Sequence, residues 1–191
     1  VIVIDIDDES LRRYGQWPWP RNLVAELVNR SYYSLATGFD IVFAEPDRTG
    51  ARQLKETYRD NEAVVNALAA AIDHDEVFST AIEEHGTVVL GLALHNNQTV
   101  SGPPIKAGVV VQGDEPRQFL RNFDGLEQNI PLLSSVSQGL GSMSIGNDDA
   151  VVRTIPTFET VGETLIPSFP LEMVRVAIGA STYQIKSSNA S

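Results

Sequence analysis

The first 21 residues, VIVIDIDDESLRRYGQWPWPR, constrain the fold more than any other stretch of the chain. Ile2, Val3, Ile4 and Ile6 supply apolar side chains to both faces of an extended segment. That is the pattern of a strand covered on both sides in a parallel sheet, and it predicts a strand over residues 2–7. The run ends in Asp5, Asp7, Asp8 and Glu9. Open α/β sheets bind ligands beyond the carboxyl ends of their strands, so polar groups here mark a candidate site. Trp17-Pro18-Trp19-Pro20 cannot continue a helix, because each proline lacks an N–H and biases its predecessor toward extended backbone. Pro20 does suit a first helical turn, and Leu23, Val24, Leu27, Val28 and Leu35 recur at helical spacing, which predicts a helix over roughly 21–35.

Beyond Gly38, the residues Phe39, Ile41, Val42 and Phe43 predict a second buried strand that Pro46 stops. Strand, helix, strand in that order implies a right-handed parallel crossover. Residues 47–60 are polar and read as a loop or a fraying helix. Asp60 is the expected N-cap of a helix carrying Val64, Val65, Leu68 and Ile72, and a further helix runs from about Asp75 to a stop at Gly86. TVVLGLAL at 87–94 is the third strand. Residues 95–118, rich in Gly, Pro and Asn around a short valine run, predict an excursion with an edge strand. From Gly139 onward, two short strands flanking the acidic turn at 146–149, with more turn chemistry at Gly162, predict antiparallel pairing. Leu171, Val174, Val176 and Ile178 after Pro170 give a final helix, and 187–191 is a polar tail. The expected fold is α/β: one domain over 1–186, a mixed sheet with a parallel βαβ core, flanking helices and an antiparallel C-terminal hairpin.

At 191 residues and 42% hydrophobic, the chain has material for one sizeable core. Its formal net charge is −11, with the 14 Lys and Arg scattered, which argues against nucleic acid as a partner because phosphate neutralisation needs clustered cations. Having no Cys, it forms no disulfide, thiolate metal site or cysteine nucleophile. The run from Val88 to Leu94 is far short of the ~20 apolar residues of a membrane helix. The chain opens without Met, inside an apolar run and with no basic leader, and is expected to be a segment of a longer protein. His74, His85 and His95 lack metal-ligand spacing, and Ser134, Ser135 and Ser137 form no nucleophile elbow.

Asp5 and Asp7 lie two apart and project from one face of a strand, while Asp8 faces the other way. Joined by Asp40, Glu45 or Asp47 from the neighbouring strand, they would make an oxygen-rich site for a polar ligand or for a divalent cation, Mg²⁺ or Ca²⁺. The competing reading buries Asp5 against Arg21 or backbone amides and leaves Asp7 and Asp8 to cap the turn that follows. Trp17 and Trp19 either floor a ligand pocket or plug the end of the core. Arg21 sits in the first turn of a helix, where the dipole prefers anions, so it requires a carboxylate; Asp5, Asp7 and Asp40 are the candidates.

Four pieces taken together, IDIDDESLRRYGQWPWPRNLVAELV at 4–28, GFDIVFAEPD at 38–47, VVLG at 88–91, and a distal block from Gly141 through VVR at 151–153 to IPSFPLEMVR at 166–175, carry a family pattern. The chain resembles the second type of CHASE domain, the extracytoplasmic sensory module of bacterial adenylate cyclases, histidine kinases and serine/threonine kinases. It departs from that pattern between helix one and strand two, where the usual apolar approach is longer. It departs again at Asp149-Ala150, where Asp-Gly is usual, and at Thr154, where a second basic residue commonly follows the first. The resemblance implies an α/β domain in the periplasm or outside the cell, preceded by one membrane helix and followed by others that lead to a signalling enzyme. It implies no chemistry within the segment and leaves the stimulus, small molecule or protein, unnamed. A homodimer is expected because such outputs act in pairs. The polar cluster attached to this reading, as ligand site or as structural support, is Asp5, Asp7, Asp8, Trp17, Trp19, Arg21, Asp40, Glu45, Asp47 and Arg153.

VIVIDIDDES also resembles the opening of haloacid-dehalogenase-type phosphatases. There Asp5 would be the nucleophile and Asp7 the acid/base, with Mg²⁺ held by Asp5 and by Asp148 or Asp149. Against that reading, Asp8 and Glu9 stand where small or hydroxyl residues belong, no lysine motif offsets phosphate charge, and TVVLGLAL lacks the terminal serine or threonine of a second motif. A protein-binding module without a small-molecule pocket is the third class, favoured if the indoles fill the sheet end.

Overall fold

In the computed structural model, which describes residues 1–97, 102–144 and 154–187, the chain opens on an extended segment that joins no sheet. Helices α1 (Asp8–Tyr14) and α2 (Arg21–Arg30) follow, then β1 (Thr37–Phe39), α3 (Ala51–Thr57), α4 (Glu62–Ala67), α5 (His74–His85) and β2 (Val88–His95). Next come β3 (Gly108–Gln112), a 3₁₀ turn at Pro116–Phe119, β4 (Asn122–Phe123), β5 (Gly125–Glu127), α6 (Pro131–Val136) and β6 (Gly139–Ser142). The described chain ends with β7 (Phe158–Val161), β8 (Thr164–Pro167), α7 (Phe169–Ala177) and β9 (Thr182–Lys186).

The central sheet sets β1 and β6 parallel to β2 on either side, and β5 pairs antiparallel with the far end of β2. A second sheet runs β4-β7-β8, with β7 and β8 forming an antiparallel hairpin about Gly162 and Glu163. The third, β3 and β9, is a parallel pair. An α/β fold with a mixed sheet, a parallel core, flanking helices and a C-terminal hairpin is therefore present.

The central sheet has two unlike faces, and the sequence of β2, VVLGLALH, creates them by simple alternation. Val88, Leu90, Leu92 and Leu94 enter the core with Val24, Val28, Phe78 and Ile82 of α2 and α5. On the other face Gly38, Val89 and Gly139 align across the three parallel strands, and Gly91 meets Gly141 in the next rung. Glycine in a strand marks close approach of another segment, which is α7 at Gly38, Gly139 and Gly141 and the Met143 side chain at Gly91. A Cβ at Gly38 would strike Met173 and Phe169, one at Gly139 would strike Glu172, and one at Gly141 would fall 2.5 Å from the Phe169 Cα.

Several expectations are corrected. Residues 2–7 form no strand: Val1 to Ile4 are exposed, and only Ile6 packs partly on the core. Asp7 instead caps α1 by accepting the Ser10 N–H at 2.8 Å, so the acidic run starts a helix rather than ending a strand. The parallel crossover is built from β1, α5 and β2. Helix α2 ends at Arg30, not near 35, because the Ser31 hydroxyl donates to the Val28 carbonyl and the chain turns there. The second strand pairs only over Thr37–Phe39; Phe43 is pinned instead by Asn129, whose Oδ1 accepts its N–H at 2.7 Å. Asn61, not Asp60, caps α4, which buries nothing. The strand after Gly139 is parallel in the central sheet, while the acidic turn at 146–149 lies outside the described residues. Strand β9 had no clear signal in TYQIK.

Because the clash at Gly141 is with backbone, no side-chain rotation relieves it. Gly141→Ala is expected to cost about 1–3 kcal/mol, the range for inserting a methyl into a packed interior, read as a lowered urea midpoint at unchanged slope.

Candidate functional site

Pro20 before α2 and Gly50 before α3 offer those helices no capping side chain. Both borrow carboxylates from distant segments. Asp47 accepts the Arg21 N–H at 2.6 Å, and Asp73 accepts the Arg52 N–H at 2.8 Å while also capping its own helix, α5, through the Asp75 N–H at 3.0 Å. The Asp47 N–H in turn donates to Asp75 Oδ2 at 2.9 Å. Three helix N-termini and three aspartates thus form one knot, with Arg21 inside it.

The Arg21 guanidinium lies 4.4 Å from the centre of the Phe43 ring and reaches the Glu45 carbonyl at 3.5 Å. Its Nε is 3.7 Å from Asp75 Oδ1, an ion pair too long for a hydrogen bond, and neither atom finds a hydrogen-bond partner among the described residues. Side-chain exposure is 9% for Arg21, 2% for Asp75 and 5% for Asp47, so the knot is closed to ligand. His74, partly exposed at its rim, meets Asp47 Oδ2 at 3.1 Å. Beside it, Trp19 is buried, donates its indole N–H to the Gly15 carbonyl at 2.8 Å, and meets Trp17 edge to face. The indoles plug the core rather than line a pocket.

The structure therefore brings together Trp17, Trp19, Arg21 and Asp47, with the Glu45 backbone. Asp5, Asp8 and Asp40 are exposed and stand apart from this group, and Asp7 serves only as the α1 cap. The Glu45 carboxylate faces outward and pairs with Arg48 at 3.2 Å. Arg153 lies outside the described residues, as do Asp148 and Asp149. Arg21 is partnered by Asp75 and Asp47, not by Asp5, Asp7 or Asp40. Among the described residues no group of three or more His, Asp or Glu is arranged to hold a metal ion. The sequence signal for Asp75 was present but unused: two aspartates flank His74 at a helix start, while an arginine in another helix's first turn lacks a partner.

A second polar cluster, not anticipated from the sequence, lies on the α7 side of the sheet. Glu172 and Arg175, one turn apart on α7, form a bidentate pair, with Arg175 Nε 2.8 Å from Oε2 and its terminal nitrogen 2.7 Å from Oε1. Arg175 also donates to the carbonyls of Ala180 and Gln138, and Glu172 accepts from the Leu140 N–H and the Tyr183 hydroxyl. The hydrogen bond to Glu172 pushes the Arg175 guanidinium further up, while burial and the same carboxylate push the Tyr183 phenol far above its ordinary value, so it stays a donor.

This cluster floors a cavity of about 500 Å³ between the β3–β9 sheet, the β7–β8 hairpin and the segment from Pro103 to Ala107. Val109 and Val111, two apart on β3, face it with Tyr183, the register partner of Val109 on β9. Lys106 lies in its wall and donates to the Ser135 carbonyl at 3.0 Å. At the mouth, Arg117 is held between Glu115 and Glu163.

The fold and these two features define an α/β domain with a closed ionic knot at one place and an open, largely apolar cavity at another. The model of the CHASE2 domain family matches residues 1–189, and the chain belongs to that family of extracytoplasmic sensory domains of signalling proteins, which are sensory rather than catalytic. No curated protein and no solved structure matches the chain. Among the described residues no helix is long and apolar enough to cross a membrane.

Removing Arg21 strips the knot of its cation and leaves three buried aspartates. Arg21→Ala is expected to cost about 3–5 kcal/mol, the range for breaking one side of a buried pair, measured by urea unfolding.

The pH dependence of the knot has two opposing limbs. Burial pushes the Asp75 carboxyl above 3.8 despite the Asp47 N–H and Arg21, so between 3.8 and the raised value the folded state holds the extra proton and stability falls as pH rises. Asp47 is the reverse: burial raises it, but hydrogen bonds from the Arg21 and Thr49 amides, the Thr49 hydroxyl and His74 outweigh burial and hold it below 3.8. Its contribution is complete above 3.8 and disappears as pH falls beneath that. Asp75→Asn is expected to flatten the upper limb and keep the acid limb in a series of melts against pH.

Proposed function

We propose that this domain is the signal-input module of a bacterial membrane-bound signalling protein, held in the periplasm or outside the cell. It controls a cytoplasmic adenylate cyclase, histidine kinase or serine/threonine kinase, and its stimulus acts at the cavity between β3–β9 and the β7–β8 hairpin. The observation that carries this reading is the makeup of the cavity wall. Leu140 and Glu172 belong to the central sheet and α7, whereas Val109, Val111 and Tyr183 belong to a separate two-stranded sheet. An isolated pair of strands is marginally stable and leans on what it packs against. An occupant touching both walls has a different affinity for each arrangement of β3–β9 on the domain, and that difference is what shifts a population. The knot around Arg21 then serves as the rigid side against which the shift is transmitted.

The test is made in the full-length signalling protein in membranes. Val109→Trp, which fills the cavity, is expected to change basal cyclase or kinase output several-fold. Val110→Trp, on the opposite face of β3, is expected to leave it unchanged. Equal output from Val109→Trp and the parent protein, at equal abundance, refutes the cavity as the input site.

A further inference from the structure

Resting on that reading of the cavity, we propose that it takes a small amphipathic monoanion, an apolar body ending in one carboxylate, with Lys106 as the residue that reads the carboxylate. A volume of about 500 Å³ falls in the range of small-molecule sites, roughly 300–1,000 Å³. Ile105, Val109 and Val111 line it while exposed to solvent, at 81%, 38% and 40%, and an apolar occupant is what would remove that surface from water.

The head group follows from counting charges on the wall. Glu172 is saturated by Arg175, Tyr183 and the Leu140 amide and has nothing to offer a ligand. Arg117 is committed to Glu115 and Glu163, which stand exposed at the mouth, where solvent screens them. Lys106 remains as the charged lining side chain with no carboxylate at ion-pair distance among the described residues. Of its three ammonium donors one goes to the Ser135 carbonyl, and the other two meet no partner among the described residues. Burial disfavours its charged form against the pull of Glu172, so an arriving anion recovers interaction that the partly desolvated ammonium lacks. One such cation in the wall, with donors left over, matches one carboxylate on the ligand.

Calorimetric titration of the 191-residue chain with octanoate, octanol and octylammonium tests this. Octanoate is expected to bind at least tenfold more tightly than either of the others. Lys106→Met is expected to erase that preference while octanol binding persists, Lys106→Arg to keep it, and Val109→Trp to abolish binding of all three. Lys106→Gln repeats the comparison should the methionine variant fail to fold. No binding of octanoate, binding no tighter than octanol, or unchanged octanoate affinity in the lysine variants overturns the proposal. Binding and output separate the two readings: altered output from Val109→Trp without an octanoate preference removes the ligand class alone. An octanoate preference with unaltered output removes the input role alone.

Discussion

A helix that starts on proline or glycine leaves its first amides unserved, and in this domain that deficit organises the structure around it. Asp47 and Asp73 serve α2 and α3 from 26 and 21 residues away, so neither helix end is satisfied until the chain has brought those segments together. The electrostatics close to within a small margin. Three carboxylates face one guanidinium, and each of the three helix N-termini adds up to about half a positive charge. Without the helix ends the cluster would hold an uncompensated double negative charge in the interior, and without the carboxylates the amides would be orphaned. Packing of α2 on α5 and the polar knot at their starts are therefore one arrangement.

Two buried ion pairs among the described residues, Glu172–Arg175 and Arg21–Asp75, differ in kind. Glu172 and Arg175 meet in parallel hydrogen bonds, with further bonds to the Ala180 and Gln138 carbonyls, the Leu140 amide and the Tyr183 hydroxyl, which is the geometry in which a buried pair recovers its desolvation cost. Arg21 and Asp75 stop at 3.7 Å, with Nε and Oδ1 each lacking a hydrogen bond among the described residues, and burial outweighs their attraction on both sides: Arg21 is pushed down and Asp75 up. What holds Arg21 in place is the rest of its surroundings, the Phe43 ring and the Asp47 carboxylate on its own amide. The less satisfied pair sits in the closed knot and the better satisfied one beside the open cavity.

Much of this was legible in the sequence. The pattern of β2, α5 and its Gly86 stop, the start of α2 after Pro20, and the demand of Arg21 for a carboxylate all follow from period, caps and charge placement. The resemblance in the WPWPR and IPSFPLEMVR segments gave the family, and the matched model covers the same span. The failures have physical causes. VIVIDI has the composition of a buried strand, but composition does not say whether a partner edge is adjacent, and here Asp7 spends its side chain on a helix cap. The true partner of Arg21 lies 54 residues away, at a helix start whose aspartates look like ordinary caps. The Glu172 cluster was invisible because Glu and Arg three apart on a helix usually mark a solvated face. Only the glycines at 38, 139 and 141, read across strands not yet paired, would have shown that α7 sits close enough to bury them.

That glycine-lined face also links the cavity to the rest of the sheet. Arg175 holds the Gln138 carbonyl just before β6 and the Ala180 carbonyl just before β9, while Tyr183 ties β9 to the same carboxylate. Strand β9 is thus fastened to α7 through one buried residue pair, and β3 is fastened to the domain largely through β9. Gly141 leaves α7 no room to move toward the sheet, since the Phe169 backbone already fills the space. A ligand pressing on Val109 and Tyr183 would meet rigid resistance from α7 and yielding resistance from the β3–β9 pair, so displacement falls on the two-stranded sheet. A two-stranded sheet held at a few points beside a close-packed helix is an arrangement in which a modest binding energy can select between discrete positions rather than deform the core.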